Sequence, residues 1–120
     1  MGLVQEQWEF LKDVSKLINK AEELEIVLTA GEMFRTQEQQ EIYVKTGKSK
    51  TMNSNHLKRL AVDFNFFING ELVYNHDKIN ELARYWENLN SKNRWGGNFD
   101  KDWDSPDPFK DQPHYERKVD

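Results

Sequence analysis

The sequence predicts an α+β fold, a small and mainly antiparallel sheet with helices packed on it. Three observations lead there. Apolar residues recur at steps of three and four near the N-terminus and again from Ile79 to Leu89. A run rich in β-branched and aromatic residues, Leu60 to Ile68, runs into Asn69-Gly70, a strong two-residue hairpin signal. The resulting order is helix, strand, helix, hairpin, helix, then two short strands, with no internal repeat or low-complexity tract. At 120 residues the chain is expected to form a single domain over 1–120, long enough for a real core.

The elements follow in order. Val4, Trp8, Leu11, Val14, Ser15, Ile18, Ala21 and Leu24 place a mostly apolar stripe on one side of an opening helix. Ile26-Val27-Leu28-Thr29-Ala30, bounded by Gly31, reads as a short buried strand that delivers Arg35 just past its end. Thr36 followed by Gln39 fits a capping box, so a helix begins there and fades in Gly47-Lys48-Ser49-Lys50. After the hairpin, with Glu71 to Tyr74 pairing back, Ile79, Leu82, Ala83, Trp86 and Leu89 form another amphipathic helix, capped by Asn75 or Asp77. A long polar loop separates Trp95-Gly96-Gly97 from a final short strand about His114, and residues after Glu116 are expected to fray.

Composition excludes several classes. Seventeen basic against 21 acidic residues give a net charge of −4, which offers no electrostatic footprint for nucleic acid. Lys45, Lys48 and Lys50 make only a short basic patch, read as a solvated loop. There is no cysteine, so any metal site rests on histidine and carboxylate. The N-terminus lacks the basic start and apolar stretch of a secretory signal, and no run approaches membrane-spanning length. The expectation is a monomer made without a signal peptide, with no membrane partner.

The chemistry concentrates in Ser54-Asn55-His56 through Asp63, answered by Asp111-Gln112-Pro113-His114. Two imidazoles and a carboxylate, His56, Asp63 and His114, suit a catalytic zinc ion, which takes three protein groups and keeps a position open for water. Asp111, three residues before His114, is left over for proton transfer. No H-E-x-x-H helix occurs, which excludes the commoner zinc-protease architecture.

These spacings resemble the VanY-like zinc peptidases, the D-alanyl-D-alanine carboxypeptidases and L-alanyl-D-glutamate peptidases that include phage endolysins. Their first motif, S-x-H-x-x-G-x-A-x-D, is matched by Ser54, His56, Ala61 and Asp63. Their second, W-G-G followed after a variable loop by D/E-x-P-H-F/Y-E, is matched by Trp95, Gly96, Gly97, Asp111, Pro113, His114, Tyr115 and Glu116. A third element, an arginine just after a strand and followed by glutamines, is matched by Arg35 with Gln37, Gln39 and Gln40. The resemblance covers about residues 25 to 117, and three motifs in the right order are far more specific than one.

The resemblance implies a hedgehog/D-Ala-D-Ala-peptidase-like fold and one catalytic zinc ion on His56, Asp63 and His114. It implies Asp111 as general base and acid, and Arg35 pointing into the cleft to stabilise an oxyanion or hold a substrate carboxylate. The substrate it implies is a peptidoglycan stem peptide, most of all the L-alanyl-D-glutamate bond. The alternatives are a D-alanyl-D-alanine carboxypeptidase, or a non-catalytic wall-binding or virion domain of the same fold. Access to the wall would come through lysis, a holin or incorporation into a virion.

Several residues carry a second reading. Ser54 binds substrate or ties the backbone before His56, and Glu116 orients a ligand or is an exposed strand residue. Asp100, Asp102, Asp104, Asp107 and Asp111 imitate a calcium loop, but Ser105 stands where glycine is needed and Asp111 replaces the bidentate glutamate. His76 has no motif around it and is read as a polar lead-in to the helix at Asp77. Arg59 stands where the motif has glycine, so this turn is either built differently or open to solvent.

Overall fold

The computed structural model describes residues 2–48, 54–96 and 113–119. Helix α1 spans Leu3–Glu23, strand β1 Val27–Ala30, helix α2 Gln37–Lys45, and a 3-10 turn Asn55–Lys58. Strands β2 (Ala61–Ile68) and β3 (Glu71–Val73), helix α3 (Asp77–Leu89) and strands β4 (Asn93–Trp95) and β5 (His114–Arg117) complete the order expected from sequence. All strand pairs among the described residues are antiparallel. The sheet runs β1-β2-β5-β4, with β3 beside the far end of β2.

Strand β2 organises the molecule because from Val62 to Ile68 its side chains alternate between two environments. Val62, Phe64, Phe66 and Ile68 are buried and share one core with Phe10, Val14 and Leu17 of α1 and Ile79, Leu82, Ala83 and Trp86 of α3. Asp63, Asn65 and Phe67 lie on the opposite face and are only half-buried. The Asn69-Gly70 turn has positive φ at both residues, 53° and 79°, the conformation that a type I′ hairpin requires. It sets Phe66 to Ile68 against Val73 to Glu71.

Trp86 ties the helices to the far strands. Its ring packs edge-on against Phe10 and Tyr115 at centroid distances of 5.6 and 5.9 Å. Its indole N–H donates to the Arg94 carbonyl at 3.0 Å. A buried tryptophan of this kind is worth about 3–5 kcal/mol against truncation to alanine, which fixes β4 and β5 relative to α3.

Four local expectations need correction. The buried face of α1 is Phe10, Val14, Leu17 and Ala21 together with Glu6 and Asp13. Val4, Trp8, Leu11 and Ile18 are exposed, so most of the anticipated stripe faces outward. Strand β1 lies at the sheet edge and is largely exposed, not buried. The α3 cap is His76, whose ring nitrogen accepts from the Lys78 N–H; Asn75 and Asp77 flank it. Beyond Glu116 the chain does not fray at once. Arg117 is 2% exposed, the Lys118 N–H donates to the Lys92 carbonyl, and Val119 packs against the core.

Candidate metal centre

Asp63 sits near the start of β2 on the face turned away from the core. Its backbone is fastened on both sides. Its carbonyl accepts from the Gly31 N–H at 2.7 Å, and its N–H donates to the Glu32 carbonyl at 2.9 Å. A Cβ on Gly31 would fall 3.2 Å from the Asp63 carbonyl oxygen and 3.3 Å from its Cβ. Glycine is therefore needed here for close approach.

His56 comes from the 3-10 turn. Ser54 caps that turn, its Oγ accepting from the His56 N–H at 3.2 Å. Arg59 closes it with φ 58° and ψ 36°. The turn thus keeps the left-handed conformation for which glycine is suited, and arginine bears a cost of about 1–2 kcal/mol. The Arg59 side chain is exposed, its guanidinium lying 4.2 Å from the centre of the Phe34 ring. His114 opens β5, directly opposite Asp63 in the ladder.

These placements bring His56, Asp63 and His114 together, one donor atom from each lying within 4.8 Å of the others. His56 Nε2 is 3.3 Å and His114 Nδ1 3.2 Å from the same Asp63 Oδ1. The outward nitrogens decide the chemistry. His56 Nδ1 lies 3.1 Å from the Met33 carbonyl, which can only accept, so Nδ1 carries the hydrogen. His114 Nε2 lies 2.7 Å from Glu116 Oε1, and an ionised carboxylate likewise requires a donor. With neutral rings, both inward nitrogens are lone-pair acceptors aimed at a carboxylate oxygen. Three acceptors meeting at one point repel unless a cation or a proton stands among them.

The protonation equilibria express this demand. Burial would raise the Asp63 pKa, but hydrogen bonds from His114 and His56 outweigh it and hold the carboxyl below the usual range. Burial would lower His114; its bonds to Asp63 and Glu116 prevail and raise it to about 9. Burial would raise Glu116, yet His114 and Arg94 bring it down to about 2. In the metal-free chain a proton on His114 fills the role that the geometry offers to a metal ion. The donor set fits a divalent cation: two imidazoles and one carboxylate, each imidazole oriented by a partner on its far side.

Glu116 is no exposed strand residue. It is 4% exposed and accepts from His114, from Asn55 Nδ2 at 2.9 Å, and from Arg94 Nε and Nη2 at 2.9 and 2.7 Å. Arg35 is tethered to the metal group, its backbone N–H donating to the His56 carbonyl. Its guanidinium is held by Glu32, Gln40 and Ser54. Ser54 therefore does tie the backbone before His56, and its oxygen also receives Arg35. Asp111, Gly97 and the acidic residues Asp100, Asp102, Asp104 and Asp107 lie outside the described residues. Sequence reasoning missed Glu32, Tyr43, Asn55 and Arg94. A signal existed for Tyr43: with Thr36 capping α2, Gln40 and Tyr43 fall three apart on one helix face.

Comparisons with known proteins bear on the family and the fold. A family model described as phage L-alanyl-D-glutamate peptidase matches residues 4–117. The crystal structure of the Serratia marcescens L-Ala D-Glu endopeptidase ChiX superposes with a TM-score of 0.64, at 24% identity, covering 89% of this chain and 79% of that one. No curated protein sequence matches.

Proposed function

Because the chain belongs to the phage L-alanyl-D-glutamate peptidase family, we propose that it hydrolyses the L-alanyl-D-glutamate amide of peptidoglycan stem peptides, using zinc at His56, Asp63 and His114. The family makes it a peptidoglycan-cleaving endopeptidase and favours that bond over the D-alanyl-D-alanine alternative. One observation carries the metal assignment. Both imidazoles spend their outer nitrogens on Met33 and Glu116 and turn their inner nitrogens onto the same Asp63 oxygen.

Zinc bound there would supply Lewis-acid polarisation of the scissile carbonyl and lower the pKa of water. The chain's own residues do the rest. Glu116 fixes His114 in the tautomer that keeps Nδ1 free, and Met33 does the same for His56 Nε2. Asp111 is the proposed general base and acid, taking a proton from the attacking water and passing it to the leaving amine. Its support is its place in the sequence, three residues before His114. Arg35 is proposed to face the charge that develops on the carbonyl oxygen, supported by the tether of its backbone to His56.

The test is digestion of purified peptidoglycan by the metal-loaded protein, with identification of the new termini. New N-terminal D-glutamate, lost on chelation and restored by zinc, is the expected result. A protein that carries no divalent metal after zinc loading, or that releases only D-alanine, would overturn the reading. Asp111→Asn should retain zinc and lose at least about a hundredfold in rate.

A further inference from the structure

The surroundings of Arg35 are more tightly built than a surface arginine needs. Nε donates to Glu32 Oε1 at 2.5 Å and Nη2 pairs with the same oxygen. Nη1 donates to Gln40 Oε1 at 2.6 Å and reaches Ser54 Oγ at 3.4 Å. The guanidinium lies over the Tyr43 ring, its Cζ 4.6 Å from the centroid. The Tyr43 hydroxyl donates to the other Glu32 oxygen, Oε2, at 3.2 Å. Glu32 thus bridges the edge of the guanidinium and the phenol that stacks on its face, closing a ring of three side chains.

That ring is anchored to the metal group through the backbone. Glu32 accepts from the Asp63 N–H, the Met33 carbonyl receives His56 Nδ1, and the Arg35 N–H donates to the His56 carbonyl. A five-residue stretch from Gly31 to Arg35 therefore holds two of the three candidate metal ligands, Asp63 and His56, and carries the guanidinium. A free arginine side chain carries about 2 kcal/mol of rotamer entropy, and an electrostatic group speeds reaction only when it is already oriented.

From this geometry we propose that Glu32 and Tyr43 are positioning residues: they lock the Arg35 guanidinium in the orientation that serves the reacting carbonyl or the substrate carboxylate. The inference rests on the reading of Arg35 as a group that acts on substrate. Glu32 supplies direction through its paired bonds to the edge. Tyr43 supplies a flat support and holds Glu32 in place. Neither touches the substrate in this role.

The experiment measures kcat and KM on a stem-peptide substrate for zinc-loaded Arg35→Lys, Glu32→Gln, Tyr43→Phe and Tyr43→Leu, and for the Glu32→Gln/Arg35→Lys double variant. Zinc content and melting temperature are recorded for each. Glu32→Gln and Tyr43→Leu should lose about tenfold to a hundredfold, in the same kinetic parameter that Arg35→Lys alters, with zinc content kept. Tyr43→Phe keeps the stack and should lose less. In the double variant Glu32→Gln should add little to Arg35→Lys, because the group it positions has already changed. If Arg35→Lys itself is as active as the parent, the reading of Arg35 falls. If Arg35→Lys is impaired while Glu32→Gln and Tyr43→Leu are not, or if the losses multiply in the double variant, the positioning role is overturned and Arg35 stands alone. Should Glu32→Gln fold poorly, Tyr43→Leu against Tyr43→Phe decides by the same comparison.

Discussion

Strand β5 sends charge to both faces of the sheet. On one face Glu116 holds His114, which meets Asp63 and His56; on the other Tyr115 enters the core and Arg117 meets Glu6 of α1. In the second group every carboxylate described has a donor. Glu6 accepts from Arg117 Nη2 and Lys92 Nζ, both at 2.9 Å, and Asp13 accepts from Asn93 Nδ2 at 3.0 Å. In the first, Asp63 is 27% exposed and one of its oxygens faces a ring nitrogen from each of two imidazoles. Carboxylates each matched to a donor hold structure. Ligand atoms that converge on one point open to solvent leave room for a cation, and that contrast separates a brace from a site.

The largest expected effect removes a metal donor. His114→Ala or Asp63→Ala should abolish tight zinc binding and bring peptidase activity down to the level of the chelated protein. The fold should survive, since neither side chain belongs to the apolar core. Metal content by elemental analysis, with circular dichroism alongside, checks this. A variant that kept stoichiometric zinc would dissolve the contrast between the two faces.

Breaking the closed cluster should do the opposite. Glu6→Ala leaves Arg117, 2% exposed, without the carboxylate that holds it among the described residues. Loss of one partner of a buried pair costs about 3–5 kcal/mol. The low end is expected because Lys92 brings the cluster to the surface. Zinc content and turnover per folded molecule should not change, which denaturant melts paired with activity assays would show. The same group predicts an acid limb. Hydrogen bonds from Arg117 and Lys92 lower Glu6 from 4.5 to about 2, so its stabilisation is complete above about pH 4.5 and is lost as pH falls through about 2. In Glu6→Gln that component should vanish from the stability profile.

Glu116 lies on the site face but would reach a bound metal only through His114. Glu116→Gln should weaken zinc affinity about tenfold to a hundredfold, less than loss of a ligand, and competition with a chromogenic chelator reads it directly. Unchanged affinity would make Glu116 a structural partner of Arg94 and Asn55, and move it to the side of the brace.

Much of this division was legible in the sequence, and the exceptions have physical causes. Asp63 and His114 could be paired because β2 is a clear strand run and the two motifs are specific; the Thr36 cap and the Asn69-Gly70 turn are local signals that the fold does not override. The face of α1 was misjudged because the helix carries apolar residues on two adjacent stripes. The stripe that is buried includes Glu6 and Asp13, which read as solvent-facing until Arg117, Lys92 and Asn93 arrive from more than seventy residues away. Arg117 looked like a tail for the same reason. The setting of Arg35 was half visible: the strand before it and the helix after it are local signals, but the bridge from Glu32 to Tyr43 depends on side-chain direction, which spacing does not encode.

The smallest effect concerns Tyr115, which tests whether the core face of β5 is passive. Its ring is wholly buried, 5.9 Å from both Phe64 and Trp86 and 6.1 Å from Phe66. Its hydroxyl has no hydrogen-bond partner among the described residues, and burial pushes the phenol's pKa up, keeping it neutral. A buried hydroxyl without a partner forfeits its hydration, which costs about 1–3 kcal/mol, while removing it leaves a small void that gives part of this back. The two terms oppose each other, so Tyr115→Phe should shift stability by less than about 1 kcal/mol, toward greater stability if the void closes. The resembling motif accepts phenylalanine or tyrosine at this position, as expected of a ring that packs without using its oxygen. A loss of activity or zinc on Tyr115→Phe would show that the core face reaches through the strand to the site; unchanged values would confine the chemistry to His114 and Glu116.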